Sequence, residues 1–600
     1  MSKYFLVALI LCSNFLLNGQ QDIILKKELE QTLISQGLTG AVWSTVSNGE
    51  ITTGAVGLKN IVSKEKLSST DKVQVGSVTK TLIALGILRL SSQNKLTIDA
   101  PVNTIVPNLQ LNNPWKTTNP ITVRDLLNHT SGLQDAKLWQ IFSTKITSTT
   151  PLKSIVSEDV SVLKVRTKPG TRFSYSNIGY TILGIIIEEI TGESYESYLD
   201  ENLLTPLGMK HSTFQFVSQT TENADESLAM GHFEDGSTQE NVPMHIRAAG
   251  QFTTTGHDMA LLAKFLLGNG SINEKPFIKK ELLNQMGKPT TTDANKHGLN
   301  GGYQFGFNHT DRHGVLGYYH SGNIIGYRAT FHVFPKEKKA FFISFNMDSE
   351  IANYQKFNKI FIDYLKIEKP EKQEVKNSLP NNIEDYYGFY RLNPIRFEVS
   401  SYFDLLFNSI KVNAVDNKLK MASLQKKSYY LLPLGKNLFR VKNKVKASHV
   451  LYEENKKQII SNGLVTYEKV SVLYLSMLWL SFILGLVGII LVISRGFYLL
   501  IQNKLFKKNQ ILTVPFSAIA CLLIPIPFLL TQSILNLGDV TVGNVLLTVV
   551  TGIIPLAMIF GLIKVRKNKP LKIDVIAILF ILQWTIILTY WNLIPLKLWA

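Results

Sequence analysis

The sequence predicts an α+β domain, then a small all-β module, then four membrane-spanning helices. Three observations carry this. Strand-like pairs flank a run of helical patterns between residues 41 and 346. Short strand-like segments recur between 383 and 468. Four long apolar runs fill the last quarter of the 600-residue chain.

In the first domain, "AVWSTVS" (41–47) is followed by Asn48-Gly49 and resumes as "ITTGAV" (51–56), which reads as a hairpin with a tight turn. "YRATFHVF" (327–334) and "AFFISFN" (340–346), separated by "PKEKK", read as a second pair. Helical periodicity covers 78–92, 122–129, 178–191, 195–204 and 257–268. With strands at both ends and helices between them, the first and last strands are expected to share one sheet. Residues 366–382 are polar and poor in large apolar residues, so they read as a linker. Beyond them "YYGFYRL", "FEVSSYFDLLF", "KLKMASL", "SYYLLPL", "NLFRV" and "HVLYEE" follow as strand-like segments with turn residues between.

The apolar segments are of two kinds. At the N-terminus Lys3 precedes about fourteen mostly apolar residues ending near Asn18-Gly19. That is shorter than the roughly 20 residues of a spanning helix and has the form of a signal peptide. The expected division is a signal peptide at 1–19, a first domain at 20–365, a linker at 366–382, the β module at 383–468 and a membrane region at 471–596. Within the last, 471–494, 511–535, 541–563 and 573–596 can each cross a bilayer. The loops 495–510 and 564–572 are basic, whereas "NLGDV" (536–540) has no basic residue. Positive loops stay inside, so the chain before the first span is expected on the extracytoplasmic side of a cell membrane, as a multi-pass protein.

The net charge of +18 follows the same division. Residues 1–365 carry a net +2, and residues 366–470 and 471–600 carry +8 each. The excess lies beside the apolar segments, which favours a membrane surface over nucleic acid as its partner. The Lys and Arg of the β module read first as a charged, solvated face, and second as a surface for anionic lipid or wall polymer. Both cysteines, Cys12 and Cys521, fall in apolar segments. That excludes a disulfide framework, a Cys-rich metal site and a Cys nucleophile from the region between them. The scattered histidines propose no metal site.

The stretch "VGSVTK" (75–80) places Ser77 three residues before Lys80. Ser-x-x-Lys also starts at Ser63, Ser69, Ser92, Ser161 and Ser423, so spacing alone selects nothing. Ser77 differs in its setting. Gly76 precedes it and "VTKTLIALGILRL" follows at helical spacing, so Ser77 stands at a helix start with Lys80 one turn deeper on the same face. Free N–H groups at such an end suit an oxyanion, and burial lowers a lysine's pKa toward that of a usable base. Taken alone, the tetrapeptide is equally an N-cap serine with a solvated lysine.

Further segments weigh on the choice: "FSYSNIGY" (173–180), "LLNHTSGL" (126–133) and "YYHSGNIIGYRATF" (318–331), with "LTIDAPVNTIVP", "PLGMKHSTF" and "AAGQFTTTGHDMALLAKFLL" between them. With Gly76-Ser77-x-x-Lys80, their order and spacing resemble the serine β-lactamase and penicillin-binding-protein-like family, in its class C-like branch, from about residue 23 to 365. The resemblance implies a β-lactamase/DD-peptidase-like fold, an antiparallel sheet flanked by helices plus a helical subdomain. It implies Ser77 as the acylated nucleophile and Lys80 as its activator. Tyr175 would be a general base if neighbouring cations take its proton, and Asn177 a substrate-holding amide. His320-Ser321-Gly322 falls where the family has Lys-Thr-Gly, and the N–H groups of Ser77 and Asn323 would form the oxyanion hole. "HTSGL" reads as structural, with His129 and Gly132 closing a helix.

His320 is the departure. A lysine there brings a fixed positive charge for a substrate carboxylate, whereas a histidine is mostly neutral at pH 7. The expected function is an exported, membrane-anchored serine hydrolase acting through a Ser77 acyl-enzyme, without metal or cofactor. Its substrate would be an amide or ester, peptide-like: a D-amino-acid peptide, a peptidoglycan fragment or a β-lactam. The alternative is a membrane sensor whose outer domain is acylated, or only binds, without turnover.

Overall fold

The computed structural model describes residues 20–221, 223–565 and 570–599; the signal peptide expected at 1–19 lies outside them. The first domain is built on a sheet whose main strands are β1 (Gly40–Ser47), β2 (Glu50–Asn60), β3 (Phe307–Arg312), β4 (Val315–Ile324), β5 (Tyr327–Phe334) and β6 (Lys339–Phe345). Among the described residues it has eight strands, in the order Tyr303–Gln304, β3, β4, β5, β6, β1, β2, Glu65–Lys66. The first and last long strands meet as expected: β1 runs antiparallel to β6, with Trp43 opposite Ile343. Ser47 faces Glu50 across a two-residue turn in which Asn48 and Gly49 hold φ of 51° and 90°. Positive φ at both positions is what a tight hairpin turn requires.

Both faces of this sheet are covered, so "AFFISF" is buried throughout rather than alternating. Phe342, Val42 and Val46 point into one core; Phe341, Ile343, Phe345 and Trp43 point into the other. Helical backbone over 20–35 closes the second face with Leu25, Leu29 and Leu33 at four-residue spacing, together with the helix Gln355–Tyr364. The first face carries the helical half of the domain, with α1 (Thr79–Ser92) and α2 (Asn177–Thr191) at its centre. α1 is buried almost all round, which takes Lys80 into the interior with Leu82, Ile83 and Leu85. α2 starts where Ser176 Oγ accepts a hydrogen bond from Gly179 N at 3.1 Å and stops at Gly192, φ 76°.

The β module is a closed eight-stranded barrel, from Gly388–Leu392 to Thr466–Val470, sealed where Phe389 pairs with Val470. The polar 366–382 segment lies on it: Gln373 N donates to Val445 O at 2.8 Å and Lys376 N to Pro433 O at 2.9 Å. One element departs from the sequence expectation. Ser401–Phe407, inside the strand-like "FEVSSYFDLLF", is a helix. Its Tyr402, Leu405 and Leu406 bury against Leu475, Leu478 and Leu588 of the apolar helices, and Trp584 Nε1 donates to Tyr402 OH at 3.1 Å. Burial on one helical stripe overrides the strand preference of these residue types.

The barrel is also seated on the first domain. Arg172 pairs with Glu454 and Glu468, and Asp311 accepts hydrogen bonds from Val445 N and Lys446 N at 2.9 Å each. Among the described residues, four helices are long and apolar enough to cross a membrane: Val472–Ile501, Thr513–Thr531, Val542–Val565 and Lys572–Tyr590. The first outruns its expected end at 494 and the last stops short of 596. The second is interrupted by a 3-10 turn at Cys521–Leu523, just before Pro525 and Pro527, which lack the N–H that a continuous helix needs. Gly485 and Gly488 let the first helix approach Trp584 and Ile581 of the fourth, and Arg495 pairs with Asp574 at 3.0 Å.

Candidate active site

Gly76–Val78 forms a 3-10 turn that leads directly into α1, so Ser77 sits just before the helix rather than in its first turn. The turn is fixed by Thr79 Oγ1, which donates to Gly76 O at 2.6 Å. It is also fixed by the sheet. β3 pairs with β4 only as far as Tyr319, so residues 320–324 have a free edge, and the Ser77 turn occupies it. The approach demands glycine: a Cβ on Gly322 would overlap the Val75 carbonyl oxygen and lie 2.8 Å from Ser77 N. Gly76 has φ 52°, and a Cβ there would lie 2.8 Å from Asn323 N. The sequence-predicted residues on three distant segments therefore converge.

Lys80 Nζ lies 3.0 Å from Ser77 Oγ, 2.8 Å from Asn177 Oδ1 and 2.7 Å from Ala249 O. Tyr175 OH donates to Ser77 Oγ at 2.9 Å. Lys80 is fully buried, and burial pushes its pKa well below the usual lysine range; Asp135 opposes this and Arg396 adds to it. An amine has two hydrogens and a lone pair. Asn177 Oδ1 and Ala249 O each match one N–H of Lys80 Nζ, and its remaining contact faces Ser77 Oγ, so deprotonation would turn a lone pair toward Ser77.

Tyr175 departs from expectation. Burial drives its pKa upward, and although the hydrogen bond to Ser77 and the charge of Arg396 lower it, burial dominates. The phenol keeps its proton and acts as a donor to Ser77.

His320 is buried, and burial followed by the charge of Lys80 pushes its pKa down to about 3. Its Nδ1 pairs with Ser321 O at 2.8 Å, while Nε2 is buried without a partner. A cation nevertheless reaches the site, from the barrel. Arg396 lies over the Tyr175 ring at 4.6 Å and pairs with the fully buried Asp135 carboxylate at 2.7 Å. Asp135 in turn accepts from Asn177 N at 2.7 Å and from Asn177 Nδ2 at 3.3 Å, fixing the amide that faces Lys80. Ser77, Tyr175, Asn177, His320, Gly322, Asn323 and Arg396 line one cavity of about 750 Å³, with Lys80 beneath its floor. Arg312 and Arg328 line it further out.

The sequence model of the Beta-lactamase family matches residues 25–358. The chain belongs to the Beta-lactamase family. Protein flp of Staphylococcus aureus (strain N315) is 27% identical over 339 residues, 56% of this chain and 64% of the relative. The chain thus spans less than two thirds of that relative's length. A putative penicillin-binding protein, PbpX of Bacillus subtilis (strain 168), is 32% identical over 196 residues, 32% of this chain and 44% of the relative. Among solved structures SurE superposes with a TM-score of 0.51 at 19% identity, covering 76% of this chain and 100% of SurE, which is likeness of fold. In this member of the Beta-lactamase family, "HTSGL" is a supporting element. His129, at φ 55°, packs its ring 4.3 Å from that of Tyr175 and accepts a hydrogen bond from Ser176 N at 3.1 Å. Asp135 follows that motif by two residues. Arg396 lies 221 residues beyond Tyr175 in another module, and no local pattern marks it.

Proposed function

We propose that the chain is an exported, membrane-anchored serine hydrolase that cleaves an amide or ester bond through an acyl-enzyme on Ser77. The observation that carries this reading is the single oxygen of Ser77, held between the Lys80 amine at 3.0 Å and the Tyr175 phenol at 2.9 Å, on the wall of an open cavity. In acylation Ser77 Oγ attacks the substrate carbonyl and gives its proton to Lys80 Nζ. The carbonyl oxygen turns toward the N–H groups of Ser77 and Asn323. Tyr175 passes its proton to the leaving nitrogen or oxygen and regains one from Lys80. Water then attacks the acyl carbonyl by the reverse route and frees Ser77. Asn177 holds the substrate's amide and keeps Lys80 oriented. No step calls for a metal or cofactor.

The substrate is peptide-like and carries a carboxylate. His320 stays neutral and supplies no charge, but Arg396, Arg312 and Arg328 line the cavity. A D-amino-acid peptide, a peptidoglycan fragment and a β-lactam all meet that description. The extracytoplasmic placement is supported by two features. The barrel leads directly into the first span, and the turn between the second and third spans packs on the first domain, so both belong to one side. The basic loops 495–510 and 564–572 belong to the other.

A turnover screen of the purified full chain, with Ser77→Ala as control, tests the proposal. It should include D-alanyl peptides, D-amino-acid amides, short esters and a chromogenic cephalosporin. Turnover lost in Ser77→Ala supports a hydrolase. A stable adduct without release would make the protein a sensor instead. No adduct with any acylating probe would exclude both.

A further inference from the structure

The cavity is not walled by the first domain and barrel alone. Ile534, in the turn between the second and third spans, lines it with 50% of its surface exposed. The second span ends at Thr531. Three residues of chain reach at most about 10 Å, so the Ser77 cavity opens within that distance of a span end. Ile141 and Phe142 of the first domain line the same cavity.

This junction is built. The Asp539 carboxylate, almost fully buried, accepts hydrogen bonds from Ser143 Oγ at 2.6 Å, Thr144 N at 3.0 Å and Thr144 Oγ1 at 2.7 Å. Gly538 N donates to Phe142 O at 2.9 Å, and a Cβ on Gly538 would overlap the backbone of Trp139. Behind the turn, the buried Asn544 Nδ2 donates to Asp539 O at 2.7 Å and to Leu537 O at 3.0 Å. A buried carboxylate with three donors fixes its partners closely. Here those partners are the residues that directly follow Ile141 and Phe142. The membrane region therefore sets the position of the cavity wall.

We infer that this wall receives the apolar chain of an amphiphilic substrate that stays anchored in the adjacent lipid leaflet while its amide or ester reaches Ser77. The inference rests on the hydrolase reading and specifies its substrate class. A wholly water-soluble substrate gains nothing from an exposed isoleucine beside a span end. An acyl or peptidyl group on a long apolar chain gains contact with Ile534, Ile141 and Phe142 without leaving the lipid. Asp539 is then a positioning residue.

The test uses the full chain in lipid nanodiscs and two esters with the same leaving group, one of a two-carbon and one of a twelve-carbon acid. Asp539→Ala is expected to lower the ratio of kcat/KM for the long-chain ester to that for the short ester about tenfold. Ile534→Ser is expected to lower the long-to-short ratio by a similar factor, the size set by losing one half-buried aliphatic contact. An unchanged ratio in both folded variants overturns the inference. A second readout needs no turnover: a long-chain amide bearing a diazirine, photolysed on the Ser77→Ala chain. Label on 139–142 and 532–536 supports the inference, and label confined to lipid-facing span residues overturns it. Failure of both esters with label at the wall would defeat the hydrolase reading alone.

Discussion

Arg396 offers the sharpest test of the electrostatics at this site. The perturbation is Arg396→Ala, with Arg396→Lys as the charge-keeping control. Lys80 Nζ lies 5.0 Å from the Tyr175 ring centroid and the Arg396 guanidinium carbon lies 4.6 Å from the same point, so the two cations are at most about 10 Å apart. At an effective dielectric of about 20, two unit charges at that separation repel by about 1.7 kcal/mol, roughly 1.2 pK units. The Arg396 side chain is 49% exposed, and solvent screening cuts this to about half to one unit. The sign is fixed. Arg396 disfavours the charged form of Lys80, so its removal raises the Lys80 pKa. The neutral amine then forms only at higher pH, and the acidic limb of Ser77 acylation moves up by half to one unit.

The assay is the second-order rate of Ser77 labelling by an uncharged fluorophosphonate across pH 4–10. An uncharged probe separates this effect from any role of Arg396 in binding a carboxylate, and melting curves show that the barrel stays seated. An acidic limb that stays in place, or moves down, in Arg396→Ala would refute the claim that the barrel tunes the lysine. Arg396→Lys is expected to keep the wild-type profile to within a few tenths of a unit.

Other outcomes follow from the same geometry. Ser77→Ala is expected to abolish labelling and turnover while changing the melting temperature by no more than a few degrees, because Ser77 is only half-buried and lines an open cavity. Lys80→Met should slow labelling about 10²- to 10⁴-fold, the usual worth of a placed base. It should also change the pH dependence of stability. The folded pKa of Lys80 lies below the unfolded value of 10.5, so the unfolded chain binds more protons between the two. Denaturant titrations should therefore show wild type gaining stability, relative to Lys80→Met, as pH rises toward about 10. Gly322→Ala drives a methyl into the Val75 carbonyl, with backbone on both sides, and is expected to abolish labelling and cost about 3 kcal/mol or more by chemical denaturation.

The chain's own pattern explains why some of this was readable and some was not. The Ser77 turn, the Tyr175–Asn177 segment and the strand at 320–323 each announce themselves locally, because each joins a chemical group to a conformational demand. A glycine allows close approach at 76 and 322, and a cap at Ser176 starts α2. Their convergence was legible because the demands come in a fixed order along one domain. The protonation states were not. Tyr175 keeps its proton because it is buried, against the opposing effects of Ser77 and Arg396, and Arg396 arrives from a barrel whose docking no local pattern encodes. The helix at Ser401–Phe407 failed for a related reason: its apolar stripe finds its partner only among the spans. Both misses lie where one module's residues take their meaning from another. Those same contacts make the barrel and the membrane region parts of the candidate site: Arg396 lies over Tyr175, and Gly538 and Asp539 bond Phe142 and Ser143 on its wall.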